Sequence, residues 1–103
     1  MLVLQSDENI ELDSAATLLN IMANSKRLHV LTILRDGEVA AGKLAKLVGL
    51  SPSALSQHLA KLRFATIVET RRDLQTVYYS CKSHAVIRIL DLLDDLFVGE
   101  VDK

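Results

Sequence analysis

Proline is almost missing from this chain: among 103 residues only Pro52 is one, and glycine occurs four times. No linker, repeat or low-complexity tract therefore divides it, and its length supports one hydrophobic core but not two. Tryptophan is absent and aromatic residues make up 4%, although half of the chain is apolar. A small domain with so few large rings is expected to need a partner surface to bury what it cannot enclose. Cys81 is the only cysteine, which excludes an intrachain disulfide and suits a reducing compartment. No apolar run approaches membrane-spanning length, and the opening MLVLQSDENIELD has neither the basic start nor the continuous apolar stretch of a signal peptide. A cytoplasmic protein with no membrane partner is the expectation. Three histidines and thirteen acidic residues are present, but no His, Cys or Ser sits in a glycine-rich turn or beside a base at a recognisable spacing, which argues against an enzyme.

What the chain does have is concentrated between Gly42 and Arg63, GKLAKLVGLSPSALSQHLAKLR. Leu44, Leu47 and Val48 recur at helical spacing, Gly49 ends that run, and Ser51 followed by Pro52 restarts a helix as N-cap and first-turn residue. In the second helix Leu55, Leu59 and Leu62 line one side. The opposite side carries Ser53, Ser56, Gln57, Ala60 and Lys61, small or hydrogen-bonding groups suited to a helix lying in a DNA major groove. Two short helices joined by this turn are a helix-turn-helix.

The net charge of −1 hides an uneven distribution. Residues 40–82 carry seven basic and two acidic side chains, a local charge of +5, while the remainder carries five basic and eleven acidic ones. A basic centre between acidic ends fits a small DNA-contacting surface whose other faces are kept off the phosphates.

On the N-terminal side, Asp13 or Ser14 is expected to cap a first helix running to about Ala23, with Ala15, Leu18, Leu19 and Met22 along one face, after a flexible segment 1–12. Asn24 caps a second helix, SKRLHVLTILRDG, in which Leu28, Leu31 and Leu34 recur and Gly37 marks the end. Beyond the helix-turn-helix the period changes. IVETRR and QTVYYSC, around a polar turn region at Arg72, Asp73 and Leu74, predict a two-stranded hairpin. The last helix, from Ser83 to about Val98, is apolar on more than one face through Val86, Ile87, Ile89, Leu90, Leu92, Leu93, Leu96 and Phe97. Such a helix should pack on its own core and on another subunit at once. Residues 13–98 thus predict a mainly α (α+β) domain of five helices with a hairpin wing, in the order ααααββα, followed by a tail at 99–103.

That order is a winged helix-turn-helix, and the runs MANSKRLHVL, LAKLVGLSPSALSQHLAKLR and VETRRDLQTVYYS resemble the ArsR/SmtB family of bacterial repressors, especially its NolR-like branch. The resemblance spans about residues 15–97. It implies a homodimeric repressor that blocks a promoter by binding double-stranded DNA at an imperfect palindrome. It also implies a dimer interface on the first and last helices, for which the candidates are Leu18, Leu19, Met22, Leu90, Leu93, Leu96 and Phe97. One alternative is a winged-helix protein-interaction module that has lost DNA binding, opposed by the polar groove face and the arginine pair in the wing; another is a metal- or redox-responsive repressor.

Within this frame Ser53, Ser56 and Gln57 are the candidate base readers, and Gln57 is long enough to pair bidentately with adenine. Ser51 and the free amides of the first turn suit a phosphate. Lys43, Lys46, His58, Lys61 and Arg63 are candidates for phosphate or backbone contacts, with Arg63 placed nearer the buried face. Arg71, Arg72 and Gln75 belong to the wing, and because strand residues alternate, only one arginine of the pair should reach DNA while the other pairs with Asp73. Two positions depart from the family pattern. Relatives commonly read A-G-L-V where this chain has Ala65, Thr66, Ile67 and Val68, so a left-handed backbone at Thr66 would be strained, and Phe64 is a large apolar residue near the groove side.

The sensing sites of the family find little here. The stretch GEVAAGKLA has no thiol where soft-metal sensors carry cysteines. In the last helix only His84 and Asp95 occupy ligating positions, too few for a closed zinc site unless Asp91 or Asp94 contributes. Cys81 reads as a packed small hydrophobe and His29 as a surface or dimer-proximal residue. No metal, cofactor or effector is assigned.

Overall fold

The computed structural model describes residues 5–98, with side chains from residue 11 onward. Five helices and three strands follow in the order α1 (Gln5–Met22), α2 (Ser25–Arg35), β1 (Val39–Ala40), α3 (Ala41–Val48), α4 (Pro52–Phe64), β2 (Val68–Asp73), β3 (Thr76–Cys81) and α5 (His84–Phe97). The capping residues act as their chemistry dictates. Asn24 accepts from the amides of Lys26 and Arg27 at 2.9 and 3.0 Å, Ser51 from Ala54 at 3.1 Å, and Ser83 from Val86 at 3.2 Å. Each side-chain oxygen satisfies amides that the first helical turn leaves free. Gly49 closes α3 in the left-handed region at φ +70°, which lets the chain reverse into the α3–α4 turn.

Three expectations are corrected. The first helix starts by Gln5 and not at a cap on Asp13 or Ser14, so residues 5–12, expected to be flexible, are helical; residues 1–4 and the tail at 99–103 lie outside the described residues. The early turns are too polar to show an apolar stripe, which hides them from a periodicity reading. The hairpin is part of a three-stranded antiparallel sheet, ordered β1-β3-β2, because Val39 and Ala40 pair with Tyr79 and Tyr78. The turn itself is Leu74–Gln75, between the paired residues Asp73 and Thr76. Leu47, expected on the buried side of α3, is about half exposed, and Ala45 takes its place beside Leu44 and Val48.

Among the described residues the core is entirely apolar: Met22, Val30, Leu31, Leu34, Leu44, Val48, Leu55, Leu59, Leu62, Ile67, Val68, Cys81, Val86 and Leu90 all contribute. The three leucines of α4 anchor the recognition helix in it, and truncating Leu55 or Leu62 to alanine should cost about 2–5 kcal/mol through lost burial and the cavity left behind. Two long-range ties set the helices around this core. Lys26 donates from Nζ to the Val48 carbonyl at 2.9 Å, holding the C-terminus of α3 against α2. Arg35, on α2, bonds Asp91 at 3.0 Å and Asp94 at 2.9 Å, fixing α5. These carboxylates keep the guanidinium pKa above its ordinary value, chiefly through the Asp94 hydrogen bond.

Candidate nucleic-acid interface

The recognition surface follows from how α4 is anchored. With 3.6 residues per turn, burial of Leu55, Leu59 and Leu62 turns Ser53, Gln57, Ala60 and Phe64 outward at spacings of four, three and four, with Ser56 and Lys61 beside them. All six are exposed. The candidate base readers Ser53, Ser56 and Gln57 therefore share one face near the capped N-terminal end, where the free amides and the helix dipole favour an anion. Phe64, suspected from the sequence, ends the same stripe and is 93% exposed, an apolar surface in line with Gln57 and Ala60.

The basic candidates divide. Lys43, Lys46, Lys61 and Arg63 are exposed, so Arg63 is not on the buried side as expected; the apolar face of α4 is completed by Leu62 without its stem. His58 is turned away from the groove face and half-buried. Its Nδ1 lies 3.3 Å from Nη1 of Arg27, whose Nε donates to the Ile21 carbonyl, so Arg27 ties α1, α2 and α4 together. Burial first, then the positive charges of Arg27 and Lys61, hold the His58 pKa below its ordinary value. His58 thus braces the recognition helix from behind.

In the wing the two arginines have different surroundings. Arg71 bonds Glu38, 33 residues away, through Nη2 at 2.6 Å and Nε at 3.2 Å, and its guanidinium sits 4.5 Å from the centre of the Tyr78 ring. The expected pairing with Asp73 is replaced because Arg71 points to the sheet face shared with Tyr78, beside the loop that carries Glu38. Arg72 is exposed and makes no ion pair among the described residues, as a phosphate-contacting group should be left. Glu38 is the functional residue that sequence reasoning missed, since nothing local in the chain links it to the wing. The backbone at Thr66 is left-handed, φ +58°, as the missing glycine implied, and Leu74 at the wing tip has the same φ.

The expected interface residues also separate. Met22 and Leu90 are buried in the protomer's own core and are withdrawn as contact residues. Leu19, Leu96 and Phe97 are exposed and Leu18 and Leu93 half-buried; of these Leu19, Leu93 and Phe97, with Leu28 and Ile89, edge apolar grooves between α1, α2 and α5. Asp91 and Asp94, the carboxylates that would have to complete a zinc site with His84 and Asp95, are engaged by Arg35. Cys81 is buried at the base of β3, and burial pushes its thiol pKa up, leaving it a poor nucleophile.

Comparison with known proteins agrees with this geometry. Residues 24–70 match the family described as bacterial regulatory protein, arsR family. The nodulation protein NolR of Rhizobium meliloti is 50% identical over 99 residues, covering 96% of this chain and 81% of that protein. The crystal structure of NolR from Sinorhizobium fredii superposes with a TM-score of 0.83 at 50% identity, over 88% of this chain and 91% of that one. The transcriptional activator HlyU of Vibrio cholerae is 46% identical over 83 residues, 81% of this chain and 77% of that protein. A homodimeric winged helix-turn-helix DNA-binding domain from Mycobacterium bovis, 27% identical, superposes with a TM-score of 0.79 over 92% of this chain and 88% of that one. A winged helix-turn-helix whose sequence runs in register with these regulators over nearly its whole length belongs to the arsR family of bacterial regulatory proteins.

Proposed function

We propose that the protein is a homodimeric, cytoplasmic transcriptional repressor that occupies an imperfect palindrome in a promoter. The observation that carries this reading is the outward stripe of α4, polar at its capped end and held rigidly by three buried leucines. Ser53, Ser56 and Gln57 read base edges in the major groove, with Phe64 and Ala60 offering apolar surface to thymine methyl groups. Lys43, Lys46, Ser51, Lys61 and Arg63 supply phosphate contacts, and Arg72 extends them to the flanking backbone. A dimer formed through Leu19, Leu93, Leu96 and Phe97 would present two such helices about one duplex turn, ~34 Å, apart, which is why a palindrome is the target. The apolar groove beside α5 and the homodimeric Mycobacterium bovis domain support that assembly. HlyU is named an activator, whereas the biofilm growth-associated repressors of Xylella fastidiosa, 30 and 31% identical to this chain, are named repressors, and repression by promoter occlusion is the reading taken here.

A gel shift of the purified protein against its own upstream promoter tests this, with and without Zn(II). A retarded complex of two protomers per duplex, competed by that promoter and not by random DNA, is expected, and Zn(II) should leave it unchanged. Loss of the complex with Zn(II) would reinstate a metal-responsive repressor, and equal competition by random DNA would refute specific recognition. A promoter–reporter fusion whose output rises when the gene is deleted confirms repression.

A further inference from the structure

The recognition helix is held in two ways that differ in kind. Leu55, Leu59 and Leu62 bury one face of α4, and this burial decides which side points inward. Apolar contact is non-directional, so by itself it sets the rotation of α4 about its axis only loosely. Among the described residues, the one side-chain hydrogen bond from α4 to another helix is that between His58 and Arg27. His58 shares a half-buried flank with Ala54 and, at the helix end, Ala65, which lines one hollow with Leu18 and Ile21 of α1. A directional contact on that flank fixes what the leucines leave free.

Arg27 is built to make it. Its guanidinium carries only donors in a rigid plane, so Nδ1 of His58 accepts from Nη1 at 3.3 Å and the ring proton is placed on Nε2. From the same plane Nε donates to the carbonyl of Ile21, one of those that the last turn of α1 leaves free. The base of Arg27 is fixed in turn, because its amide donates to the Asn24 side chain at 3.0 Å. The neighbouring Lys26 holds the end of α3 through the Val48 carbonyl at 2.9 Å. The first turn of α2 thus grips both helices of the helix-turn-helix, and Arg27 sets α4 against the end of α1.

We propose that Arg27 is a positioning residue for base reading: its fork locks the rotation of α4, and with it the direction of Ser53, Ser56 and Gln57. This rests on the DNA-binding reading above and goes beyond it by naming a residue that governs specificity from behind the helix. Side-chain ends lie about 5–6 Å from a helix axis, so a turn of roughly 10° carries the end of Gln57 by about 1 Å. That is enough to break a base hydrogen bond. Lysine contacts to phosphate, made by long flexible stems, follow the same movement without loss.

The test uses the full chain and a duplex enriched by the wild-type protein from a random pool, with a scrambled duplex for comparison. Each variant is first matched to wild type in helical content and assembly state, and binding is measured well below its Tm. Arg27→Lys keeps the charge but offers a single donor centre, which cannot span Ile21 and His58. It should bind the enriched duplex about tenfold more weakly and the scrambled duplex as wild type does. His58→Leu, which removes the acceptor and keeps the bulk, should lose the same, and the double variant no more than either alone. His58→Asn, with an acceptor near the place of Nδ1, should keep wild-type discrimination. The proposal is overturned if the folded single variants bind both duplexes as wild type does, if they lose equally on both, or if their losses add in the double variant. Should Arg27→Lys fail to fold, His58→Leu against His58→Asn decides alone. Failure of the pool to yield any enriched sequence would instead remove the DNA-binding reading, and this proposal with it.

Discussion

Arg71 is held by Glu38 in a two-point ion pair, Nη2 to Oε1 at 2.6 Å and Nε to Oε2 at 3.2 Å, whereas its neighbour Arg72 has no ion-pair partner among the described residues. The Arg71 hydrogen bond keeps the Glu38 carboxyl below its ordinary pKa of 4.5, so the pair is present throughout the neutral range. Its contribution is lost only as pH falls below that ordinary value and through the depressed one. Both partners are substantially exposed, so the pair steers the wing more than it stabilises the fold.

The consequence is an asymmetry between adjacent arginines. Arg72→Ala should lower the slope of log affinity against log salt by about one per protomer, about two for a dimer, because one phosphate contact is lost in each wing. Arg71→Ala should change the slope by less and instead broaden the preference for flanking sequence, since the shaft is released. Titrations at several salt concentrations check both. Equal slopes for Arg72→Ala and wild type would show that the wing does not touch phosphate.

His58 predicts a pH dependence of stability. Its folded pKa lies below the ordinary 6.5, so the native state prefers the neutral ring that accepts from Arg27. As pH falls through that ordinary value the unfolded chain takes up the proton first, and stability drops until the folded form also protonates. Thermal melts should therefore show a lower Tm at about pH 5.5 than at about pH 7.5, and His58→Asn, which retains an acceptor for Arg27, should flatten the difference. An unchanged difference in His58→Asn would assign it to other groups.

The parts of this protein that were legible in its sequence are those fixed by local chemistry. Asn24, Ser51 and Ser83 are caps because a short side-chain oxygen meets free amides within three residues, and Gly49 is a helix stop because its φ is positive. The missing glycine at Thr66 likewise announced a left-handed residue. What stayed hidden depends on distant partners. Val39 and Ala40 are too short a run to show alternation and become a strand only because β3 lies beside them. Arg71 finds Glu38 across 33 positions, where the nearer Asp73 was the obvious candidate. Met22 and Leu90 looked interchangeable with Leu19 and Leu96 by spacing, and only the packing of α1 and α5 on α2 decides which pair is consumed by the core.

That division yields a prediction about assembly. Leu96→Glu places a charge on an exposed site, so the protomer should keep its helical content and melt cooperatively while light scattering finds a monomer and DNA affinity falls. Leu90→Glu buries a charge in the protomer core and should unfold it, because an unpaired carboxylate in an apolar interior is strongly penalised. A wild type that is monomeric at micromolar concentration, or a Leu96→Glu variant that remains dimeric, would move the interface elsewhere.

In the proposed reading Gln57 is the principal base reader, exposed at the centre of the α4 stripe and flanked by Ser53, Ser56 and Ala60. A glutamine can donate to and accept from adenine at once, an arrangement worth about 1–3 kcal/mol of discrimination against another base. Gln57→Ala should lose about that much on the specific duplex and little on random DNA, because the phosphate contacts remain. Lys61→Ala, which removes a charge next to the same stripe, should instead weaken specific and random duplexes alike. Measuring both variants on both duplexes separates the two roles. The helix is anchored by Leu55, Leu59 and Leu62 on its other side, so neither exposed substitution should alter Tm appreciably, and any affinity change reads out contact with DNA. If Gln57→Ala lowers affinity equally for both duplexes, sequence is read by Ser53, Ser56 or the apolar end at Phe64.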